Sequence, residues 1–209
     1  LTDVMDVPTK LAYGSDFPYA LDELDSVVQH NTRCTLSLAK GGLSNVWGAA
    51  MLPNPVEDFK SWPLNFEEMK VAYRAVAEIV GIAGRYDDLA IDYPFFSKPD
   101  YPPALSVQAQ HILKCLENHR DILDKQGIKF GQARLAIKVL QSAESAGCQY
   151  CGMCLEGCPY GVIYNTRHTL HRLCASDRFV YRSGLVARRV GENDHDGAFV
   201  NCEKDSETG

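Results

Sequence analysis

The chain has no run of apolar residues approaching the roughly 20 that a membrane-spanning helix requires, so no membrane span is expected. It also lacks any block of lysine and arginine. Its 21 basic residues are spread against 27 acidic ones for a net charge of −6, which argues against a nucleic-acid surface or an anionic membrane patch. Internal repeats are absent, and no secretory leader precedes the cysteines. Apolar content is not scarce: at 45% of 209 residues it suffices for one good core or two small ones, so a soluble globular protein is expected. The chain begins at Leu1 without an initiator Met and stops at Gly209 within a polar Glu-Lys-Asp-Ser-Glu-Thr-Gly stretch. An excerpt from a longer polypeptide is therefore expected.

Cysteine is abundant and unevenly placed. Cys148, Cys151, Cys154 and Cys158, followed by Pro159, match the C-x2-C-x2-C-x3-C-P run by which bacterial ferredoxins hold an iron–sulfur cluster. The chemistry needs this spacing because thiolates must converge on the corners of one small inorganic cube. Two-residue gaps let the backbone wrap it closely. Gly152 and Gly157 can take left-handed turns, so that amides point at the sulfides and stabilise the more negative reduced cluster. A disulfide framework would suit a small secreted domain better. Zinc binds paired C-x2-C units too, but zinc sites commonly separate their pairs by about a dozen residues or more, whereas here all four cysteines lie together. With one run only, Cys158 can close a 4Fe-4S cluster, leave three local ligands for a 3Fe-4S centre, or yield to a remote thiol. Cys34, Cys115, Cys174 and Cys202 are the remote candidates, each otherwise read as a buried inert thiol. Thiolates kept for a cluster fit a reducing cytoplasm.

The remaining pattern is α+β: helices, short strands, a cysteine-rich loop and a C-terminal β-hairpin. Residues 1–40, with Pro8, Gly14 and Pro18, favour loops and short strands. Lys40 to Met51 is rich in small residues and suits backbone pressed against a flat or phosphorylated ligand, or a tight turn packed in a core. Asn65 and Glu68 form a capping-box pattern ahead of Phe66, Met69, Tyr73, Val76 and Val80, which predicts an amphipathic helix ending near Gly81. After a loop with Pro94, Pro99, Pro102 and Pro103, a second helix is expected from about Leu105 to Leu116. Ile128 to Leu140 reads as a strand or two. Asn165 can cap a short helix to about Ala175, placing His168 and His171 on one side, where they are assigned no role. The chain then alternates through Phe179, Val180, Tyr181, Leu185, Val186 and Val190. It returns through Asp196-Gly197 to Ala198, Phe199 and Val200 as a hairpin.

Several of these segments together resemble a known family. Gly41-Gly42-Leu43-Ser44-Asn45 resembles the flavin-contacting segment of the glucose-methanol-choline oxidoreductases. Trp62-Pro63-Leu64, the Tyr73 helix and Gly81-Ile82-Ala83-Gly84 resemble the next stretch of chain in the sugar and gluconate dehydrogenase branch. The cysteine-rich segment and helix start over 148–166, and then a strand bearing an adenine-contacting residue matched by Val186, keep the same order. The resemblance implies an FAD-dependent dehydrogenase that moves a hydride from a hydroxyl carbon of an alcohol or sugar to flavin. An iron–sulfur cluster would relay electrons to an acceptor protein or quinone. Gly41 and Gly42 would let the main chain approach the cofactor, and Ser44 and Asn45 would hydrogen-bond its ring or pyrophosphate. Trp47 would flank the flavin or pack. The implied organisation is a flavin-contacting segment (1–60), a helical and strand insert on the substrate-domain side (61–140), the cluster loop and helix (141–176), and a flavin-domain hairpin (177–209).

The departures are as informative. The family's G-x-G-x-x-G fingerprint and the segment carrying its catalytic histidine are absent from these residues, so no catalytic residue is assigned. The Ile-Asn-Gly-Met continuation is missing, and Val46 stands where some relatives carry a flavin-linked histidine, so a covalent flavin link is not expected. Two contrasting readings are a ferredoxin-like electron carrier, which a second cluster run would favour, and a zinc-stabilised interaction domain. The chain alone is expected to be inactive. Titrating FAD into the purified chain should give no tight stoichiometric binding by calorimetry, and a tight equimolar complex would contradict this expectation.

Overall fold

The computed structural model describes residues 11–19, 35–143, 145–193 and 197–204. Two compact units are present, Leu1–Arg167 and His168–Gly209.

In the first unit, helix α1 (Phe66–Val80) starts as its capping box dictates. Asn65 Oδ1 accepts from the Glu68 amide at 2.9 Å, and Glu68 Oε2 accepts from the Asn65 amide at 3.0 Å, so two otherwise orphaned donors are satisfied. The helix stops at Gly81, whose φ of +69° suits a residue without Cβ and whose amide donates to the Ala77 carbonyl. Ala77 is buried, and Phe66, Tyr73 and Val80 share that face half-buried. Val76 instead points outward, 42% exposed. Tyr73 stacks on Phe96 at 5.0 Å between centroids, and Phe66 meets Phe59 and Phe96 edge-on.

Helix α2 (Val107–Asn118) begins slightly later than the sequence suggests because Ser106 is its cap, Oγ accepting from the Ala109 amide at 3.1 Å. A further short helix, α3 (Arg120–Lys125), follows directly after His119. Arg120 ties α3 back to Glu117 at 2.7 Å and to Asp88.

Residues 128–140, expected as one or two strands, form only isolated bridges, and the chain bends at Ala136, where the Ile137 amide donates back to the Leu135 carbonyl at 2.9 Å. The reason is geometric: residues 134–138 pair with several short segments, none of which runs alongside far enough to make a ladder. Along one edge, the Arg134 carbonyl accepts from Met51 and the Ala136 amide donates to Ala49. Further along the same edge, Ala136 and Lys138 exchange hydrogen bonds with Tyr164 and Val162. On the other edge, Leu135 exchanges both its backbone hydrogen bonds with Ala83, and Asp100 pairs beyond it. Ala49, Ala83 and Ala136, at most 1% exposed, let these backbones meet closely, and Ile137 and Ile163 complete the buried cluster. Arg134 is 2% exposed, bonded to Asp87 at 2.8 Å and to the Gln132 carbonyl at 2.8 Å, with its guanidinium over the Phe95 ring.

The second unit contains most of α4 (Thr166–Cys174) and the expected hairpin, β1 (Leu185–Asn193) antiparallel to β2 (Gly197–Lys204). Phe179 to Tyr181 precede the strand, and Asp196 of the predicted turn lies outside the described residues. A register shift between Ala187 and Arg189 sets Arg188 apart, where Nε meets Glu203 at 2.7 Å.

Breaking the buried ion pair should be costly, because Arg134 would remain charged without its carboxylate. Asp87→Ala is expected to lower unfolding free energy by about 3–5 kcal/mol in urea titrations. Asn65→Ala, which removes only a cap, should cost about 1 kcal/mol.

Candidate metal centre

The cysteine loop is clamped at both ends to one segment. At its start, the Cys148 amide donates to the Val139 carbonyl at 3.1 Å. Gly147 is pressed so closely on the backbone there that a Cβ would sit 2.8 Å from the Val139 oxygen. At its end, Val162 and Tyr164 bond to Lys138 and Ala136, both at bond lengths of 2.8–2.9 Å. Between the clamps the chain turns sharply, with positive φ at Tyr150, Gly152 and Gly157. The Tyr150 hydroxyl accepts from the Ala104 amide at 2.9 Å, tying the loop to the segment ahead of α2.

Cys148 and Cys158 are half-buried, Cys151 and Cys154 exposed, and all four are free thiols. Burial pushes the Cys154 thiol pKa up, and the charges of Cys148, Cys158 and Cys151 push it further the same way. Four sulfurs within electrostatic reach of one another repel when ionised, and a bound cation reverses that repulsion. Among the described residues, however, no three His, Cys, Asp or Glu side chains stand in a metal-holding arrangement. The donor set fits an iron–sulfur cluster in its chemistry, as four free thiols on one loop.

The remote thiols differ from expectation. Cys115, Cys174 and Cys202 are exposed and not buried. The two helices and the strand that carry them present those positions outward. Cys115 Sγ lies 3.6 Å from His111 Nε2 on the same face of α2. Cys34 falls outside the described residues.

The glycine-rich segment 41–48 reaches this loop at Gly48. Gly41 adopts φ +97°, and a Cβ there would lie 2.7 Å from Asn165 Oδ1 and 2.8 Å from Arg167 Cγ. Residues Gly42–Asn45 form a 3-10 turn. Buried Asn45 donates from Nδ2 to the carbonyls of Lys40 and Gly42 and accepts from Asn165 Nδ2 at 3.0 Å. Ser44 Oγ donates to the Gly41 carbonyl and accepts from the Thr166 amide at 3.2 Å. Both side chains thus spend these hydrogen bonds inside the protein, and the open ground is at Gly42, where a Cβ would have nothing within 4 Å. Trp47 packs on the buried cluster and donates from Nε1 to the Tyr164 carbonyl at 2.8 Å. Gly48 abuts the cysteine loop: its Cβ would be 2.8 Å from Leu155 Cδ2. Val186 belongs to the second unit, half-buried in β1 opposite Glu203.

Asn165 joins the two features. Its Oδ1 accepts from the Arg167 amide at 2.9 Å, capping α4 as expected, while its Nδ2 also donates to the Ser44 carbonyl at 3.1 Å. Tyr13 was not singled out by sequence reasoning, yet its hydroxyl donates to the Cys158 carbonyl at 3.1 Å. The only local signal was the turn-forming Gly14 beside it.

No family model matches this chain, and no curated protein matches it. Among the described residues no helix is long and apolar enough to cross a membrane.

Gly41→Ala should destabilise the first unit by about 1–3 kcal/mol, since it adds both a left-handed non-glycine residue and a contact too close for a methyl group. Gly42→Ala, where the space is open, should cost only about 1 kcal/mol, and thermal unfolding of the two variants would check the order.

Proposed function

We propose that this chain is part of an FAD-dependent dehydrogenase acting on an alcohol or sugar hydroxyl, with an iron–sulfur cluster on the 148–158 loop. The observation that carries the reading is the seating of Gly48 against Leu155. It brings a glycine-rich turn and a four-thiol loop, far apart in sequence, onto one support. Cys148, Cys151, Cys154 and Cys158 would hold the cluster, and the main chain at Gly41 and Gly42 would approach the flavin. The chemistry these groups supply when bound is hydride acceptance from a hydroxyl-bearing carbon and single-electron transfer onward to an acceptor protein or quinone.

The chain's own residues act by positioning. Asn165 and Ser44 lock the turn to the helix start after the loop, so that the two sites cannot shift independently. Trp47 and Cys158 pack on the same buried cluster.

Anaerobically purified protein should be brown and contain about three to four iron atoms per chain, as one cluster requires. Cys151→Ala should abolish the colour, while Cys202→Ala should leave it. A colourless protein carrying one zinc and no iron would overturn the reading in favour of a zinc-stabilised interaction domain.

A further inference from the structure

We propose that Tyr13 is a positioning residue for the cysteine loop, fastening Glu156–Cys158 and thereby fixing how the Cys158 thiolate meets a bound cluster. Three separate contacts converge from this one residue. Its amide donates to the Glu156 carbonyl at 2.8 Å, and its hydroxyl donates to the Cys158 carbonyl at 3.1 Å. Its ring covers Gly157 so closely that a Cβ there would lie 3.0 Å from the aromatic carbons. Gly157 is buried although its neighbours Leu155 and Glu156 are exposed.

The backbone at Tyr13 supports a specific use of its side chain. Tyr13 and Gly14 both have positive φ, at 53° and 76°, and form the tip of a tight turn closed by reciprocal bonds between Ala12 and Ser15. Glycine or asparagine is the ordinary occupant of such a position, and a bulky residue persists there only where its surroundings over-determine it. Here the surroundings are the cysteine loop. The turn is itself anchored, with Ala12 and Pro18 fully buried and the Phe17–Tyr19 turn packed on Gly42–Asn45. Tyr13 therefore reaches the loop from a support that also holds the glycine-rich turn. The Cys158 carbonyl accepts from the Gly161 amide at 3.0 Å as well, so two donors fix the peptide after the last cysteine. Hydrogen bonds and solvent exclusion around the ligands set a cluster's potential.

The cluster part of this inference rests on the proposed function, and the fastening of the loop does not. Two variants separate them: Tyr13→Phe keeps the ring and loses the hydroxyl, and Tyr13→Ala loses both. In the metal-free chain, Tyr13→Ala should speed alkylation of Cys158 by about fivefold or more, the change expected from losing one hydrogen bond of ordinary net strength. In the anaerobically reconstituted chain, Tyr13→Phe should keep its full iron content yet show a lower midpoint potential and an altered visible circular dichroism spectrum. Wild-type alkylation rates in both variants would overturn the fastening. Full iron with an unchanged potential and spectrum in Tyr13→Phe would overturn the tuning role. A wild-type chain that takes up no iron would defeat the proposed function, while the alkylation rates would still decide whether Tyr13 holds the loop. Should Tyr13→Ala fail to fold, Tyr13→Phe carries both measurements, with a rise in alkylation of about fivefold from the lost hydroxyl bond.

Discussion

The first unit depends on the hydrogen bonding of one short stretch, Arg134 to Val139. Both of its edges are occupied: Ala49, Met51, Val162 and Tyr164 along one, Ala83 on the other, and Cys148 at its end. Buried backbone donors and acceptors are costly to leave unpaired, so segments too short to form strands are nevertheless held once they reach this stretch. Alanines at 49, 83 and 136 make the approach possible, because larger side chains would hold the backbones apart.

The candidate site inherits its geometry from that arrangement. The cysteine loop hangs between two attachments to 136–139, and the glycine-rich turn leads into residues 49–51, bonded to the same stretch. Asn165 then uses both ends of its amide, one capping a helix and the other holding Ser44 and Asn45. A satisfied polar network of this kind rigidifies its surroundings, since each bond lost would strand a buried group. The sulfurs are under the opposite constraint. Burial first, and then the neighbouring Cys148, Cys158 and Cys151, push the Cys154 thiol pKa up and so disfavour its thiolate.

Legibility followed the range of the interaction. The capping box of α1, the Asn165 cap of α4 and the alternating hairpin were readable because each is decided within a few residues. Helix α3 has only the residues Arg120–Lys125, too few for a hydrophobic period to register. The stretch 128–140 has strand-like composition, but whether it forms a ladder depends on partners the local sequence does not name. Cys115, Cys174 and Cys202 were expected inside because free cysteine usually is, whereas their exposure depends on which faces the packing leaves open.

By itself the sequence determined the thiol spacing, the starts of α1 and α4, and the turns where glycine is needed, because each is settled by covalent geometry and near-neighbour hydrogen bonds. Only the tertiary structure decided that the glycine-rich segment reaches the cysteine loop at Gly48, that Ser44 and Asn45 bond inward, and that Tyr13 reaches Cys158. Those contacts join residues far apart along the chain, and their formation depends on closing long loops onto one shared buried backbone.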